Sequence, residues 1–208
     1  MTVSCAVLAG GQSRRMGSDK ATINFGSKSL IRHVYDVAKK IFDEIIIVTS
    51  NHPTLTGING KICRDILPIR SPIVGIVTAL VESSNEYTFI LACDMPFVTE
   101  PSLVHVLENL RREDIVIPKT EKGFEPLHAI YSRRCIPFLL KILDSGGRKI
   151  QSVFPYVDDT ILEDCEAFYK GEISVFTNIN TREELERFSE LKKMRGSFSE
   201  REEKEKSF

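Results

Sequence analysis

The chain has 208 residues, 42% of them hydrophobic, which is enough to bury one substantial core and favours a single domain. Its 28 lysines and arginines against 29 aspartates and glutamates leave a net charge of -1, so no face-wide positive field is expected and nucleic acid is excluded as a first guess for a partner. The five cysteines, Cys5, Cys63, Cys93, Cys135 and Cys165, are odd in number and never form a CxxC pair, which argues against a disulfide framework or a zinc site and for a reducing cytoplasm.

In chain order, the β-branched runs Val3 to Ala9, Glu44 to Thr49, Lys61 to Arg64, Tyr87 to Ala92 and Asp114 to Pro118 are predicted as strands buried on both faces. The first is too short for a membrane span, has no basic leader and runs into Gly10-Gly11, so neither export nor a membrane anchor is expected. Between the strands lie helical spacings: Leu30, Val34, Val37, Ala38 and Ile41; then Ile73, Val77, Leu80 and Val81; then Leu103, Val106, Leu107 and Leu110. This alternation predicts an α/β fold, a single Rossmann-like domain whose mostly parallel mixed sheet is flanked by helices and takes ligands at its strand carboxyl ends. Beyond Pro118, an alternating stretch from Pro126 to Tyr131 and a helix from about Arg133 to Leu143 read as an acceptor-side insertion. A short basic helix from Arg148 to Val153 follows Gly146-Gly147. A strand from Ser174 to Thr177 then leads into a helix capped by Thr181, with Glu184 completing a capping box and Asn178 to Asn180 at the strand end.

The most informative segment, Leu8-Ala9-Gly10-Gly11-Gln12-Ser13-Arg14-Arg15-Met16-Gly17-Ser18-Asp19-Lys20, follows the first strand directly. Paired glycines let backbone amides approach a base or phosphate, and Arg14, Arg15 and Lys20 add positive charge at the same strand end. The glycine spacing is neither that of a Walker A loop nor GxGxxG, which weakens a dinucleotide-dependent oxidoreductase. Leu91-Ala92-Cys93-Asp94-Met95-Pro96 ends another strand, and a carboxylate there is suited to hold Mg²⁺ against triphosphate oxygens. Arg64-Asp65 precedes the loop Ser71-Pro72-Ile73-Val74-Gly75, and Asn51 follows the strand ending at Thr49.

The strand, LAGG and RMGxxK pattern, with CDMP further on, resembles the nucleotidyltransferases of the nucleotide-diphospho-sugar transferase type, and within them the molybdenum cofactor guanylyltransferases. That resemblance implies that Leu8, Ala9, Gly10 and Gly11 line the nucleotide, with Asn51 and Asp65 beside it. It further implies that Arg15 and Lys20 reach the donor phosphates as catalytic groups together with Asp94, and that Asp94 binds magnesium with Asn180 as a second oxygen ligand. Glu125 to Tyr131 resembles the family's "QPL-A-Y" segment beside the acceptor, and Phe176 to Thr181 its closing "FxNINT". Ser71 departs from the glycine usual at that loop. His128 is read as structural; Arg148 and Lys149 are read as either a phosphate-facing turn or a solvated helix start.

The implied activity is transfer of GMP from GTP to the phosphate of molybdopterin, with cofactor-receiving enzymes as further partners. The alternatives are a cytidylyltransferase acting on molybdopterin or on a sugar or isoprenoid phosphate, and a non-catalytic nucleotide-binding adaptor. The resemblance covers about residues 1–191; residues 192–208 are charge-rich without apolar periodicity and are expected to form a dispensable, disordered tail. Deleting 192–208 should therefore leave turnover and soluble expression intact. Loss of either would show that the tail packs on the domain.

Overall fold

A computed structural model describes residues 1–10, 12–13, 18–19, 22–49, 55 and 57–189. Seven strands carry the main sheet: β1 (Val3–Leu8), β2 (Ile45–Thr49), β3 (Lys61–Arg64), β4 (Tyr87–Ala92), β5 (Ile115–Thr120), β6 (His128–Ser132) and β7 (Asp159–Glu163). The pair Gly123–Phe124 folds back on the end of β5 as the eighth. Their order is β7-β5-β6-β4-β1-β2-β3, and β6 runs antiparallel to both its neighbours while the remaining pairings of these seven are parallel.

Four helices cover the sheet: α1 (Leu30–Ala38), α2 (Pro72–Glu82), α3 (Glu100–Glu108) and α4 (Ile136–Asp144). Successive strand side chains point to opposite faces, and the core divides accordingly. Cys5 and Val7 of β1, Ile45 and Ile47 of β2, and Phe89 and Leu91 of β4 pack with Ile31, Val34, Leu103 and Val106 from α1 and α3. Ala6, Leu8, Ile46, Val48 and Ile90 pack on the other face with Ile73, Val77, Leu80, Leu139 and Ile142 from α2 and α4. Fully burying each such aliphatic side chain contributes roughly 1.5–3 kcal/mol, and a one-residue slip of any central strand would exchange the two cores.

Several expectations need correction. Lys61–Arg64 is not buried on both faces: it is the edge strand, only Cys63 is buried, and Lys61 pairs with Glu82 at 2.7 Å, charges that discourage edge-to-edge pairing. The stretch read as an insertion supplies β6, which lies inside the sheet with His128 opposite Leu91. Ser174–Thr177 is not a strand of that sheet. Ile173–Ser174 pairs only with Tyr169–Lys170, and Val175 and Phe176 turn inward to pack with Phe168, so their burial comes from side-chain contact rather than a ladder. Asn178 to Asn180 thus follow a turn, not a strand. The segment read as a basic helix is a 3-10 helix over Ile150–Tyr156 containing Pro155, with Arg148 and Lys149 ahead of it. The boundary between 191 and 192 lies outside the described residues.

His128, at the start of β6, is fully buried, with Phe89 and Phe176 edge-on to it at ring centroid distances of 5.3 and 5.1 Å. Its Nε2 lies 3.5 Å from the Ser102 carbonyl oxygen, and its Nδ1 finds no partner among the described residues. Burial pushes its pKa down from 6.5 to about 4, partly offset by that carbonyl. Between those values the unfolded chain binds a proton that the folded chain does not, so stability present above pH 6.5 is lost as the pH falls through 4. His128→Phe should remove this dependence. Other carboxyls titrate in the same window, so the readout is the difference between the two proteins: urea unfolding free energies should diverge in slope by about 2 kcal/mol between pH 7 and 5. Parallel pH profiles would contradict a neutral, buried His128.

Candidate active site

From β1 the chain proceeds outward to β2 and β3, then crosses back to β4 on the opposite side of β1. Strand order therefore reverses between β1 and β4, and the crevice at their carboxyl ends is where such sheets bind ligands. Register sets Leu8 opposite Ala92, Cys93 N–H donates to the Leu8 carbonyl at 3.1 Å, and Ala9 N–H donates to the Val48 carbonyl at 2.7 Å. Leu8 and Ala9 are buried, whereas Gly10 is exposed at the crevice mouth. Gly75 on α2 lets the helix settle on Leu8, since a Cβ there would stand 3.0 Å from Leu8 Cδ1. Ser71 serves as the N-cap of α2: its backbone is extended and its hydroxyl accepts from Ile73 N–H at 3.2 Å, so the residue that departs from the expected glycine caps the helix with its side chain.

Asp65, one residue past β3, faces this mouth. A Cβ built on Gly10 would lie 3.7 Å from Asp65 Oδ2, and partial burial raises the Asp65 pKa. The contact is an ordinary one and Gly10 does not have a positive φ, so among the described residues nothing demands glycine at this position. What glycine leaves there is open backbone.

Asp94 follows β4 and is half-buried. Its backbone carbonyl accepts from Ile179 N–H at 3.0 Å, which brings Asn180 alongside although the two residues are far apart in sequence. Ile179 is anchored in a small core with Phe25, Leu30 and Phe97, reinforced by Leu185 and Phe188 of the helix over 182–189. Phe97 meets Phe25 and Phe188 edge-on at centroid distances of 5.7 and 5.0 Å. The expected capping box closes the segment: Glu184 N–H donates to Thr181 Oγ1, and Thr181 N–H to Glu184 Oε2, both at 3.1 Å. Two hard oxygen donors on adjoining backbones suit Mg²⁺, which takes one or two protein ligands and completes its shell with phosphate and water. Among the described residues there is no cluster of three His, Cys, Asp or Glu side chains that could hold a metal ion.

Beyond Asp94 the carboxyl edge continues into a cleft of about 620 Å³ lined by residues that include Thr120, Glu125, Asp164, Thr177 and Phe188. Ala92 N–H donates to the Leu127 carbonyl at 3.1 Å, tying the Glu125-Pro126-Leu127 segment to the strand end that presents Asp94. Attention to His128 in that segment misses Glu125. Burial pushes the Glu125 carboxyl up to about 7, against the lowering effects of the Thr120 hydroxyl and Lys122. The sequence signal was an acidic residue directly before Pro126 at the start of an apolar strand. Arg148 and Lys149 are exposed after α4, and Arg148 donates to the Gly147 carbonyl at 2.7 Å. Gly11, Arg14, Arg15, Lys20 and Asn51 lie outside the described residues; between them the backbone pairs Gln12–Ser13 antiparallel with Ser18–Asp19.

The model of the MobA-like NTP transferase domain matches residues 5–159. The chain belongs to that family. Its relatives include the molybdenum cofactor guanylyltransferase of Desulfosudis oleivorans, 34% identical over 188 residues that cover 89% of this chain and 93% of the relative. Among solved structures, molybdopterin-guanine dinucleotide biosynthesis protein A from Archaeoglobus fulgidus is 26% identical, with a TM-score of 0.77 over 92% of this chain and 99% of that one. The 2-C-methyl-D-erythritol 4-phosphate cytidylyltransferase of Thermus thermophilus shares the fold at 13% identity, with a TM-score of 0.67 over 93% of this chain and 100% of the other. As in these nucleotidyltransferases, the chain forms one α/β domain with a mostly parallel mixed sheet between helices. No helix among the described residues is long and apolar enough to cross a membrane.

The open backbone at Gly10 yields a direct test for this member of the MobA-like family. Gly10→Ala should leave the melting temperature within about 2 °C, because among the described residues the added methyl group meets only an ordinary contact. If the nucleotide lies over Gly10, as the resemblance implies, its affinity should drop about tenfold or more by calorimetric titration. A variant that is destabilised but binds normally would reverse the assignment.

Proposed function

We propose that this chain transfers GMP from GTP to the terminal phosphate of molybdopterin, releasing pyrophosphate and forming the guanine dinucleotide form of the cofactor. The observation that carries the reading is the meeting of the Leu8–Gly10 strand end, the Asp94–Asn180 pair and the adjoining cleft along one carboxyl edge, in a chain 34% identical to a molybdenum cofactor guanylyltransferase. In this reading the nucleotide lies over Leu8, Ala9, Gly10, Gly11, Asn51 and Asp65, and the acceptor enters through the cleft beside Glu125.

The acceptor phosphate oxygen attacks the α-phosphorus in line. The new bond joins the two phosphates, and the bond to the β-phosphate oxygen breaks with its electron pair leaving on pyrophosphate. The nucleophile is already an anion, so the protein's work is positioning and charge neutralisation rather than proton removal. Asp94 and Asn180 would hold Mg²⁺, which when bound supplies charge neutralisation to the triphosphate oxygens. Lys20 and Arg15 offset charge on the donor phosphates as the α-phosphorus becomes five-coordinate. Phe97 and Met95, both buried, stiffen the loop that presents Asp94. The five cysteines, none of them in a disulfide, suit a reducing cytoplasm, where enzymes that receive the finished cofactor are the expected partners. The relatives' names favour guanine over the cytidylyltransferase alternative.

GTP should bind more tightly than CTP, ATP or UTP in calorimetric titrations, and a clear preference for CTP would overturn the guanylyl assignment. Asp94→Asn keeps the side chain's size but removes its charge, so turnover should collapse with the fold intact. Lys20→Ala should slow transfer by about 10²- to 10³-fold while weakening GTP binding less. Wild-type transfer by folded Asp94→Asn would exclude the metal role.

A further inference from the structure

The cleft that holds Glu125 is lined by the apolar side chains of Ile173, Phe176 and Phe188 together with several charged ones. Of the charged side chains lining it, Glu121, Lys122, Asp164, Glu172 and Arg187 are exposed, and Glu125 alone is half-buried. Its backbone is fixed on both sides: Glu125 N–H donates to the Pro118 carbonyl at 2.9 Å, and its own carbonyl accepts from His128 N–H at 3.0 Å. The carboxyl group is far less committed. Among the described residues it accepts only from the Thr120 hydroxyl, at a long 3.5 Å, although a carboxylate offers about four acceptor positions. A half-buried carboxylate is less well solvated than an exposed one, so a ligand that brings well-placed donors to it gains by binding there.

An acceptor-only carboxylate in this lining selects the ligand chemistry. A phosphate would bring a second anion against Glu125 and Asp164, whereas a planar ring with adjacent N–H and NH₂ groups supplies two parallel donors to one carboxylate and a face for the aromatic side chains. The 2-amino-4-oxo ring of a pterin has that edge. We propose that Glu125 is the specificity-determining residue for the acceptor, its carboxylate accepting from the ring N–H and the exocyclic amine of the pterin. This rests on the reading of the chain as a transferase with a pterin acceptor, and it assigns to Glu125 no part in the donor site.

Because burial holds the free carboxyl near 7, acceptor binding draws it into the ionised form, and affinity weakens as the pH falls below that value. Lys122 lowers this titration and Asp164 raises it, while Asp164 itself accepts from the Tyr169 hydroxyl at 2.6 Å. The acceptor's own phosphate titrates in the same range, with a second pKa of about 6. The informative quantity is therefore the contrast between the wild type and Glu125→Gln, which keeps the shape and loses the titration.

Steady-state KM values for molybdopterin and for GTP would be measured at pH 6 and pH 8 with both proteins. The expected result is a molybdopterin KM about 10- to 100-fold higher for Glu125→Gln at pH 8, narrowing toward the wild-type value at pH 6, with the GTP KM and the kcat at saturating acceptor within about threefold of wild type. Equal molybdopterin KM values with equal pH profiles would overturn the role of Glu125 and leave the transferase reading standing, as would a rise in KM that does not change with pH. A loss of kcat or GTP affinity as large as the loss of acceptor affinity would also overturn it. No transfer to molybdopterin by the wild type would instead remove the functional reading on which the proposal rests.

Discussion

The parallel pairing of β1 with β4 is the constraint on which the other features depend. It runs from Val3 opposite Tyr87 to Leu8 opposite Ala92, with every residue of both strands buried. Alternate side chains enter two different cores, so neither strand can slip without turning both cores inside out. The glycine loop and the Asp94 loop emerge from the last pair of that register. The relative position of Gly10 and Cys93, where the two loops begin, is therefore set by fully buried strands.

A second layer of support comes from the far end of the described chain. The Ile179 to Asp94 hydrogen bond would be weak alone, with a net contribution of about 1 kcal/mol. It is held by the Phe25, Leu30, Phe97 and Ile179 cluster, which joins the start of α1, the loop after β4 and the helix over 182–189. The aromatic edges around Phe97 thereby couple that helix to the proposed metal ligands. The reciprocal bonds of Thr181 and Glu184 fix where the helix begins and hence how Asn180 is presented.

Much of this was legible in the residues. The central strands announce themselves because Val3 to Leu8 and Tyr87 to Ala92 are apolar runs interrupted only by Ser4 and Thr88, and both motifs sit directly at their ends. The edges were not legible. β7 has only Leu162 buried, and the rest of Asp159–Glu163 is polar apart from an exposed Ile161, a pattern that periodicity does not distinguish from a loop. Ser174 to Thr177 misled in the opposite sense, since Val175 and Phe176 are apolar because they fill an aromatic cluster with Phe168 and His128. At the site, the strand-end positions of Asp94 and Asp65 follow from local sequence, but the approach of Asn180 and the half-burial of Glu125 depend on contacts between distant segments. Motif reading reached Asn180 through the resemblance and passed over Glu125, whose character comes from its surroundings rather than its type.

The central claim is that a divalent ion and the donor triphosphate share the crevice between β1 and β4. The most direct measurement is paramagnetic broadening of backbone amide resonances in the ¹⁵N-labelled protein on adding Mn²⁺ with GTP. Broadening should appear first at Gly10, Cys93, Met95, Ile179 and Asn180, which surround the crevice, and should spare Asp43, Arg111 and Arg112, which line a separate cavity with Thr2 and Val3 at the start of β1. Broadening centred on that opposite edge, or on the Glu125 wall with the Asp94 loop unaffected, would contradict the assignment.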